Sequence, residues 1–209
     1  MDYIAEISEK MQRGKGKDVC ALIEQALSEG IPPRKILDEG LLVGMSIIGD
    51  LFKKDEIFIP EVLVAARAMN MGVAVLKPYL TEQDATYKGT AVIGTVKGDL
   101  HDIGKNLVKM MMEGKGIKVI DLGVDVSAQQ FLDAAQEHQA HIVCCSALLT
   151  TTMGEMEQVV RLKNEKGAKV KVMIWGAPTS QDFADTIGAD AYTPDAASPA
   201  EVALKFCTA

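Results

Sequence analysis

A short loop in this chain brings together residue types that can bind a metal-containing cofactor. It occupies residues 98–104, between an apolar run at 90–96 and a helical pattern at 105–111. Within it, Asp99 precedes His101 by two residues, and a carboxylate so placed can orient the imidazole and strengthen it as a metal ligand. The glycines of the loop leave room for a large flat group to approach the backbone. The loop therefore predicts a metal-cofactor site with His101 as the ligand.

A single histidine in a loop is more often an ordinary polar residue than a ligand. The chain has three histidines, and Asp-x-His by itself would favour that ordinary interpretation. The complete Asp-x-His-x-x-Gly pattern, placed at the carboxyl end of a predicted strand, favours ligation instead. Whether a cofactor fits there depends on the elements around the loop.

From residue 90 onward, apolar runs of strand length alternate with helical patterns. The predicted strands are 90–96, 117–122, 141–146, 169–174 and 190–193, and the predicted helices are about 102–114, 127–138, 153–166, 179–187 and 198–207. This alternation predicts an α/β domain with a doubly wound, five-stranded parallel sheet of the flavodoxin or Rossmann kind. Ligands of such sheets bind outside the carboxyl ends of the strands, where the histidine loop lies.

The first half of the chain has a helical period. Apolar side chains recur at helical spacing in three segments, about 17–27, 32–48 and 60–73,. We predict a small bundle of about four helices as a domain at 1–88, followed by the α/β domain at 89–209. A polar linker at 81–89 joins the two domains and is the predicted hinge.

Small and hydroxylated residues follow the predicted strands at one edge of the sheet. Hydroxyl groups can bind a phosphate or a ribose, and small side chains leave a slot for a ligand. Turn residues are common in the loops of every α/β protein, so each loop alone is weak evidence for ligand binding. The loops become informative because they share an edge of the sheet with the histidine loop. The candidate binding residues are Ser146, Leu148, Thr150, Thr152, Gly176, Ala177, Thr193 and Asp195.

The composition is that of a folded protein with an acidic surface. Hydrophobic residues make up 48% of the chain and the formal net charge is −7, so nucleic acid is not an expected partner, because phosphate binding needs a basic patch. No uninterrupted apolar run reaches the roughly 18 residues that span a bilayer, and the N-terminus has no secretory signal pattern. The four cysteines lack metal-ligand spacing,. We expect a cytoplasmic protein with reduced thiols and no membrane partner.

The histidine loop resembles the signature of the cobamide-binding domain found in corrinoid proteins, cobalamin-dependent methionine synthase and some mutases. The resemblance implies a cobamide cofactor (cobalamin or a related corrinoid) whose cobalt takes His101 as its lower axial ligand in place of the cofactor's own benzimidazole. It implies that Asp99 holds the imidazole. The other residues of the loop that it places against the cofactor are Gly98, Leu100, Asp102, Ile103 and Gly104.

Two further loops carry the resemblance, and one of them departs from it. Ser146, Leu148 and Thr150 match the Ser-x-Leu-x-Thr segment that follows the third strand in this family. A Gly-Gly pair follows the fourth strand in the family, whereas this chain has Trp175 and then Gly176. Trp175 lies either beside the buried nucleotide tail of the cofactor or in the ordinary core, and both interpretations stay open.

The helical half resembles the cap domain of corrinoid methyl carriers and methionine synthase. The similarity lies in residues 51–61 and in the following 65–69. It implies that Phe52 and Ile59 cover the upper face of the corrin and shield the methyl group. Without the second domain, both would be assigned to the core of the bundle.

Taken over nearly the whole chain, the resemblance implies a corrinoid protein that carries a methyl group in anaerobic one-carbon metabolism. A donor-specific methyltransferase would load the methyl group, a second methyltransferase would pass it to tetrahydrofolate or a thiol, and a reductive activase would be a further partner. The chain would be a component of a methyltransferase system rather than a complete catalyst. Methylamines, methanol, betaines and aryl methyl ethers are all open as donors, although 96–101 is more similar to the carriers for the last two.

Three alternatives stay open. A mutase subunit would share the histidine loop but would not need the helical cap. A cobalamin-sensing regulator would share both modules and add a basic DNA-binding domain, for which the sequence has no segment. A flavodoxin-like nucleotide-binding module is the interpretation if His101 is not a ligand, although no Gly-x-Gly-x-x-Gly fingerprint follows the first strand, which argues against a dinucleotide.

Overall fold

The computed structural model describes residues 2–80 and 87–208. Its chain divides into two compact units, Met1–Thr86 and Tyr87–Ala209. Most of the predicted hinge, 81–89, lies outside the described residues; only its last three residues belong to them.

The first unit is built from helices, as predicted. Its elements are α1 (Tyr3–Gln12), α2 (Gly16–Ser28), α3 (Pro33–Lys35), a π-helical segment (Ile36–Leu42), α4 (Val43–Lys53), α5 (Ile59–Leu76) and a 3-10 turn (Lys77–Tyr79). The stretch from α3 to α4 is continuous, so four long helical segments make up the described part of this unit. The π-helical segment was not predicted, because a π turn keeps buried residues such as Ile36 and Leu41 on one side of the helix and leaves no break in an apolar pattern,.

Helix α5 begins with defined caps and forms the centre of the bundle. Pro60 lies in its first turn, and the Glu61 carboxylate accepts the Phe58 N–H at 3.1 Å, which satisfies a donor that has no partner within the helix. The buried residues of α5 include Val62, Ala65, Ala66, Met69 and Gly72. This face packs against α2.

By length and composition alone, α5 and the turn after it could cross a membrane. The segment Ile59–Tyr79 has a mean hydropathy of 1.5, and 39% of its apolar window is buried in the protein. The sequence has no uninterrupted apolar run of this length, because Arg67 and Asn70 interrupt the apolar residues of α5 without ending the helix. A core helix of a soluble bundle meets the same criteria.

The second unit confirms the predicted doubly wound parallel sheet. Its strands are β1 (Thr90–Thr95), β2 (Lys118–Asp121), β3 (Ile142–Ser146), β4 (Lys171–Trp175) and β5 (Ala191–Tyr192). They pair in parallel in the order β2-β1-β3-β4-β5. The helices are α6 (Ile103–Gly114), α7 (Ala128–Glu137), α8 (Met153–Glu165), α9 (Gln181–Ile187) and α10 (Ser198–Thr208), and a 3-10 turn, Thr150–Thr152, precedes α8.

The helices cover the two faces of the sheet in different groups. A core cluster joins one face of the strands to residues of α7, α8 and α9, and it contains no residue of α6 or α10. Helices α6 and α10 contact each other and contact β1 and β3. In the sheet, β2 lies on one side of β1, and β3 lies on the other side. The order of the strands therefore reverses between β1 and β3. Ligands of open parallel sheets bind at this reversal, at the carboxyl ends of the strands.

Phe131 is the largest fully buried side chain of this core, and truncating it tests the packing. We expect Phe131→Ala to lower the free energy of unfolding by about 3–5 kcal/mol, because a cavity would replace the ring. Trp175 is the single tryptophan and lies in this unit, so its fluorescence in urea measures the transition. The control Gln129→Ala, on the exposed side of the same helix, should change it by less than about 0.5 kcal/mol. Equal midpoints for the two variants would contradict this core assignment.

Candidate functional site

The loop after β1 is fixed by its own turn and by a neighbouring loop. Gly98 has φ +80°, which a residue with a side chain adopts rarely. Its N–H donates to Oδ1 of Asp125 at 2.7 Å, and the N–H of Asp125 donates to the carbonyl of Asp99 at 3.1 Å. The hydroxyl of Thr95, at the end of β1, donates to the carbonyl of His101 at 2.8 Å. These contacts set the backbone from which the histidine side chain projects.

Asp99 is fully buried and accepts hydrogen bonds at both carboxylate oxygens. Oδ1 accepts the ring Nδ1–H of His101 at 2.7 Å and its backbone N–H at 3.1 Å. Oδ2 accepts the backbone N–H of Leu148 at 2.8 Å and of Leu149 at 3.3 Å, and it lies 2.9 Å from the hydroxyl of Thr152. Burial raises the pKa of this carboxyl, but the hydrogen bonds, that from Leu148 foremost, outweigh burial and hold the pKa well below its ordinary value,.

His101 is held at one ring nitrogen and open at the other. Its side chain is 51% exposed. Since the Asp99 carboxylate only accepts, the 2.7 Å contact assigns a proton to Nδ1, and the neutral form of the ring then has its lone pair on Nε2,. Among the residues that the structure describes, none forms a hydrogen bond with Nε2. A neutral imidazole with its second nitrogen bound to a carboxylate is a common transition-metal ligand.

A cavity of about 480 Å³ lies next to His101 at the carboxyl edge of the sheet, within the size range of small-molecule sites. The sequence-predicted residues that line it are Leu100, His101, Asp102, Ile103, Gly104, Ser146, Leu148, Gly176, Ala177, Thr193 and Asp195. The fold thus brings together residues from four separate loops. What each of them would bind is still a prediction.

Four predicted cofactor contacts are not in this lining. Gly98 shapes the turn, and Asp99 lies buried behind the imidazole. Thr152 is also buried, with its hydroxyl 2.9 Å from the Asp99 carboxylate and 2.9 Å from the carbonyl of Leu149, so it supports the histidine indirectly. Thr150 is exposed in the 3-10 turn.

Asp195 lines the cavity but is engaged by a helix terminus. Its carboxylate accepts the N–H of Ala197 at 2.8 Å and of Ser198 at 2.7 Å, and the hydroxyl of Ser198 at 2.6 Å. It therefore caps the start of α10. Neither the strand pattern nor the loop composition indicates this contact.

Gly176 lets the two central loops approach each other closely. It has φ +138°, and a Cβ added to it would lie 1.7 Å from the carbonyl oxygen of Ala147. A side chain is therefore incompatible with this backbone. The glycine signal in the sequence reflects this close approach.

Four residues of the cavity were not predicted to bind anything: Ala147, Tyr192, Pro194 and Ala196. Trp175 was undecided between a ligand contact and the core, and the structure places it in the cavity wall. Its Nε1 and the Oγ1 of Thr193 are buried and have no hydrogen-bond partner in the described part of the chain. An unsatisfied buried polar group costs about 1–3 kcal/mol, so these two atoms require partners from a ligand or from water in the cavity.

The two predicted cap residues lie in the helical unit. Phe52 is near the end of α4 and partly buried, and Ile59 begins α5 with 42% of its surface exposed. The adjacent Phe58, which was not predicted, is 68% exposed. Side chains that belong to a core are seldom exposed to this extent, so these apolar side chains at one corner of the bundle are unusual. Their contact with a corrin stays a prediction.

Comparison with known protein families decides the identity of both units. Residues 89–204 match the B12 binding domain, and residues 3–77 match a second family of the same description. The chain belongs to the B12-binding family. Its cofactor is a cobamide, as the histidine loop predicted, with cobalt as the metal.

Individual relatives agree with this assignment. Trimethylamine corrinoid protein 1 of Methanosarcina acetivorans is 44% identical over 173 residues, 81% of this chain and 80% of the relative. A corrinoid protein of Desulfitobacterium hafniense is 38% identical over 211 residues, 99% of this chain and 98% of the relative. The solved methanol:cobalamin methyltransferase complex of Methanosarcina barkeri matches with TM-score 0.92 and 32% identity, covering 99% of this chain and 80% of that chain. None of these three names mentions an aryl methyl ether or a betaine. They therefore give no support to the predicted similarity of residues 96–101 to the carriers for those donors.

The residues of the cavity fit the cofactor of a B12-binding chain. The open Nε2 of His101 is of the ligand type that cobalt accepts,. The unpartnered indole N–H of Trp175 and hydroxyl of Thr193 fit the phosphate and ribose oxygens of a cobamide tail,. The exposed side chains of Leu100 and Ile103 offer apolar surface beside the imidazole.

The low pKa of Asp99 predicts how stability depends on pH. Its carboxyl has a lower pKa folded than unfolded, where it is about 3.9, so its stabilising contribution is complete above about pH 5 and is lost as the pH falls below about 4,. We expect Asp99→Asn to be less stable than wild type near neutral pH, and the difference in unfolding free energy to shrink in acid. Urea denaturation followed by Trp175 fluorescence measures both. The exposed Glu157→Gln should show no such trend, and a difference independent of pH for Asp99→Asn would contradict the role given to this carboxylate.

Proposed function

We propose that this chain carries a methyl group on a cobamide whose cobalt is bound from below by His101. A donor-specific methyltransferase loads the methyl group, a second methyltransferase transfers it to tetrahydrofolate or a thiol, and a reductive activase serves the system. The observation that carries the proposal is the pair of Asp99 and His101, joined at 2.7 Å at the edge of a cavity and open at Nε2.

The cobamide, when bound, supplies a cobalt that can accept and release a methyl group. The chain supplies the imidazole and controls its proton. Because the Asp99 carboxylate is charged and bonded to Leu148 and Thr152, it keeps a proton on Nδ1 and stays in place whether or not Nε2 has a ligand. The strength of the Nε2 donor is therefore set by a rigid carboxylate rather than by solvent.

The surroundings of the imidazole suit a large apolar ring. Leu100 and Ile103 are 71% and 75% exposed, although side chains of this kind are usually buried. They flank His101 in the sequence, and both line the cavity. We propose that they lie against the corrin and exclude water from the Nε2 side. In the helical unit, Phe52 and Ile59 are proposed to cover the opposite face of the ring.

The relatives support a carrier role and leave the donor open. One is named for trimethylamine, and the solved complex for methanol and cobalamin. Both names contain a small methylated compound, and that of the solved complex also names methyl transfer. We propose the same class of chemistry for this chain, with the donor selected by the partner methyltransferase.

Replacing the ligand tests the centre of the proposal. Reconstituted with hydroxocobalamin, the wild-type chain should stay red through desalting with the spectrum of a histidine-ligated corrinoid. His101→Ala should lose that spectrum and bind at least about tenfold more weakly, and added imidazole should restore part of the spectrum. The control His138→Ala, at the end of α7, should behave as wild type. A wild-type chain that stays colourless, or a His101→Ala variant with an unchanged spectrum, would contradict His101 ligation.

A transfer experiment distinguishes a carrier from a mutase subunit or a regulator. The cobamide-loaded chain is reduced with titanium(III) citrate, methylated with isotope-labelled methyl iodide, re-isolated, and mixed with a purified methyltransferase that uses tetrahydrofolate or a thiol. We expect the label in the methylated acceptor, measured by mass spectrometry, and only background transfer with His101→Ala. Label that stays on the chain with every acceptor enzyme would overturn the carrier assignment.

A further inference from the structure

A second cavity of the α/β unit lies at the amino edge of the sheet, opposite to the edge that carries His101. Its volume is about 770 Å³, within the size range of small-molecule sites. Its walls come from the end of α7, from the loops that lead into β3 and β4, and from α10. We call it the amino-edge cavity. It shares no lining residue with the cavity beside His101.

The lining of the amino-edge cavity divides into an apolar floor and a polar rim. The floor residues are buried or partly buried: Leu132, Ala135, Ala140, Ala168, Val170 and Phe206. The rim residues are exposed and can all donate hydrogen bonds: Gln136, Gln139, His141, Lys166, Lys169 and Lys171,. Among the described residues, no carboxylate belongs to this lining. A ligand that satisfies both parts has an apolar body and negatively charged groups.

The positive rim contrasts with the rest of the chain. The formal net charge is −7, and the cavity beside His101 is lined by two carboxylates and by no lysine or arginine. Lysines near the end of a helix can offset the helix dipole, but this effect falls off within the last turn. It accounts for Lys166, which directly follows α8, and it does not account for Lys169 and Lys171.

The lysines of the rim are only partly neutralised. The side chain of Lys169 forms no ion pair with any residue in the part of the chain that the structure describes. Lys166 lies 3.8 Å from Asp133 in an exposed pair, which contributes little. Lys171 lies 2.9 Å from Asp190. The rim therefore keeps positive charge with which it can bind an anion.

His141 connects the starts of three strands and has an oriented ring. Its N–H donates to the carbonyl of Thr90 at 2.8 Å, and its carbonyl accepts the N–H of Lys171 at 3.0 Å. Its Nδ1 accepts the N–H of Thr90 at 3.2 Å, so the neutral ring has its proton on Nε2. No described residue accepts that proton. The cavity thus has a further donor, held in place by the sheet itself.

Phe206 adds an aromatic surface to the floor. It lines the cavity from α10, and the ammonium of Lys171 lies 5.8 Å from the centre of its ring. A planar ring can stack on such a side chain while charged groups attached to that ring reach the neighbouring ammonium. The ring and the cation side by side favour an aromatic anion over a small inorganic one.

We propose that the amino-edge cavity binds an organic anion with a planar ring and at least two negative charges, the chemistry of a nucleoside diphosphate or of an aromatic polycarboxylate. The ring lies on Phe206 and the apolar floor, and Lys169, Lys171 and the Nε2–H of His141 bind the charged groups. This site goes beyond the proposed function and does not require a cobamide at His101.

Calorimetry on the full chain, incubated with hydroxocobalamin, tests whether the ring and the charges act together. We expect ADP to bind, and its separate parts, adenosine and pyrophosphate, to bind at least about fivefold more weakly, because stacking and charge each supply part of the affinity. Trimesate, a benzene ring with three carboxylates, distinguishes the sources of charge. Binding of ADP alone assigns the site to phosphates, and binding of trimesate alone assigns it to carboxylates.

Two variants separate the contributions of rim and floor. Lys169→Gln should weaken binding of both ADP and pyrophosphate by about 3- to 10-fold. Phe206→Leu should weaken binding of ADP and leave pyrophosphate unchanged, which also shows that the rim is intact. The control Lys17→Gln, exposed in α2, changes the net charge equally and should bind ADP as wild type does.

Histidine ring signals in a proton–nitrogen correlation spectrum locate the bound anion. The chain has three histidines, and the signal that is missing in His141→Gln identifies His141. ADP should move this signal and leave that of His101 in place. Movement of the His101 signal alone would place the anion in the other cavity and overturn the proposal.

The remaining outcomes separate this inference from the proposed function. Absence of binding by both ADP and trimesate, equal affinity of wild type for ADP and pyrophosphate, or equal losses in Lys169→Gln and Lys17→Gln would overturn the amino-edge site and leave His101 ligation intact. Failure of the chain to bind hydroxocobalamin would contradict the proposed function, and the titrations with ADP would still test this site.

Discussion

The site depends on the hydrogen bonds that a single buried carboxylate, that of Asp99, accepts. Removing the Asp99 charge from water is costly, and the protein compensates with donors from two loops: the imidazole and backbone of His101 on one side, and Leu148 and Thr152 on the other,. The same hydrogen bonds that stabilise the charge also position the imidazole. The geometry of the histidine is thus determined by the requirement to satisfy a carboxylate, and a site built in this way tolerates little displacement of either loop.

This carboxylate can be satisfied only because β1 and β3 are neighbours. The strand order places the loop after β1 against the loop after β3, although Asp99 and Leu148 are 49 residues apart in sequence. The loop after β2 completes the arrangement, since Asp125 accepts the N–H of Gly98. The reversal of strand order, which creates a binding crevice in any sheet of this type, here also creates the support for the imidazole of His101.

The two units of this B12-binding chain differ in what they offer a cofactor. The α/β unit offers an imidazole, a cavity and unsatisfied donors at one sheet edge. The helical unit offers exposed apolar side chains, Phe58 and Ile59 among them, at the start of one helix.

Much of this architecture follows from local sequence, because its signals are local. Strand and helix periods alternate along 90–208, and the observed elements agree with them to within a few residues. Asp99 and His101 are two residues apart, so a tight loop is enough to bring their side chains together. The tertiary structure decided which loop residues reach the cavity. Thr152 bonds the carboxylate of Asp99 in the loop after β1, and Asp195 caps a helix. Composition cannot distinguish such partners from a ligand. It also decided that Trp175 lies in the cavity wall with a free N–H, because the face on which a side chain lies depends on strand register, and its lack of a partner depends on every element packed around it.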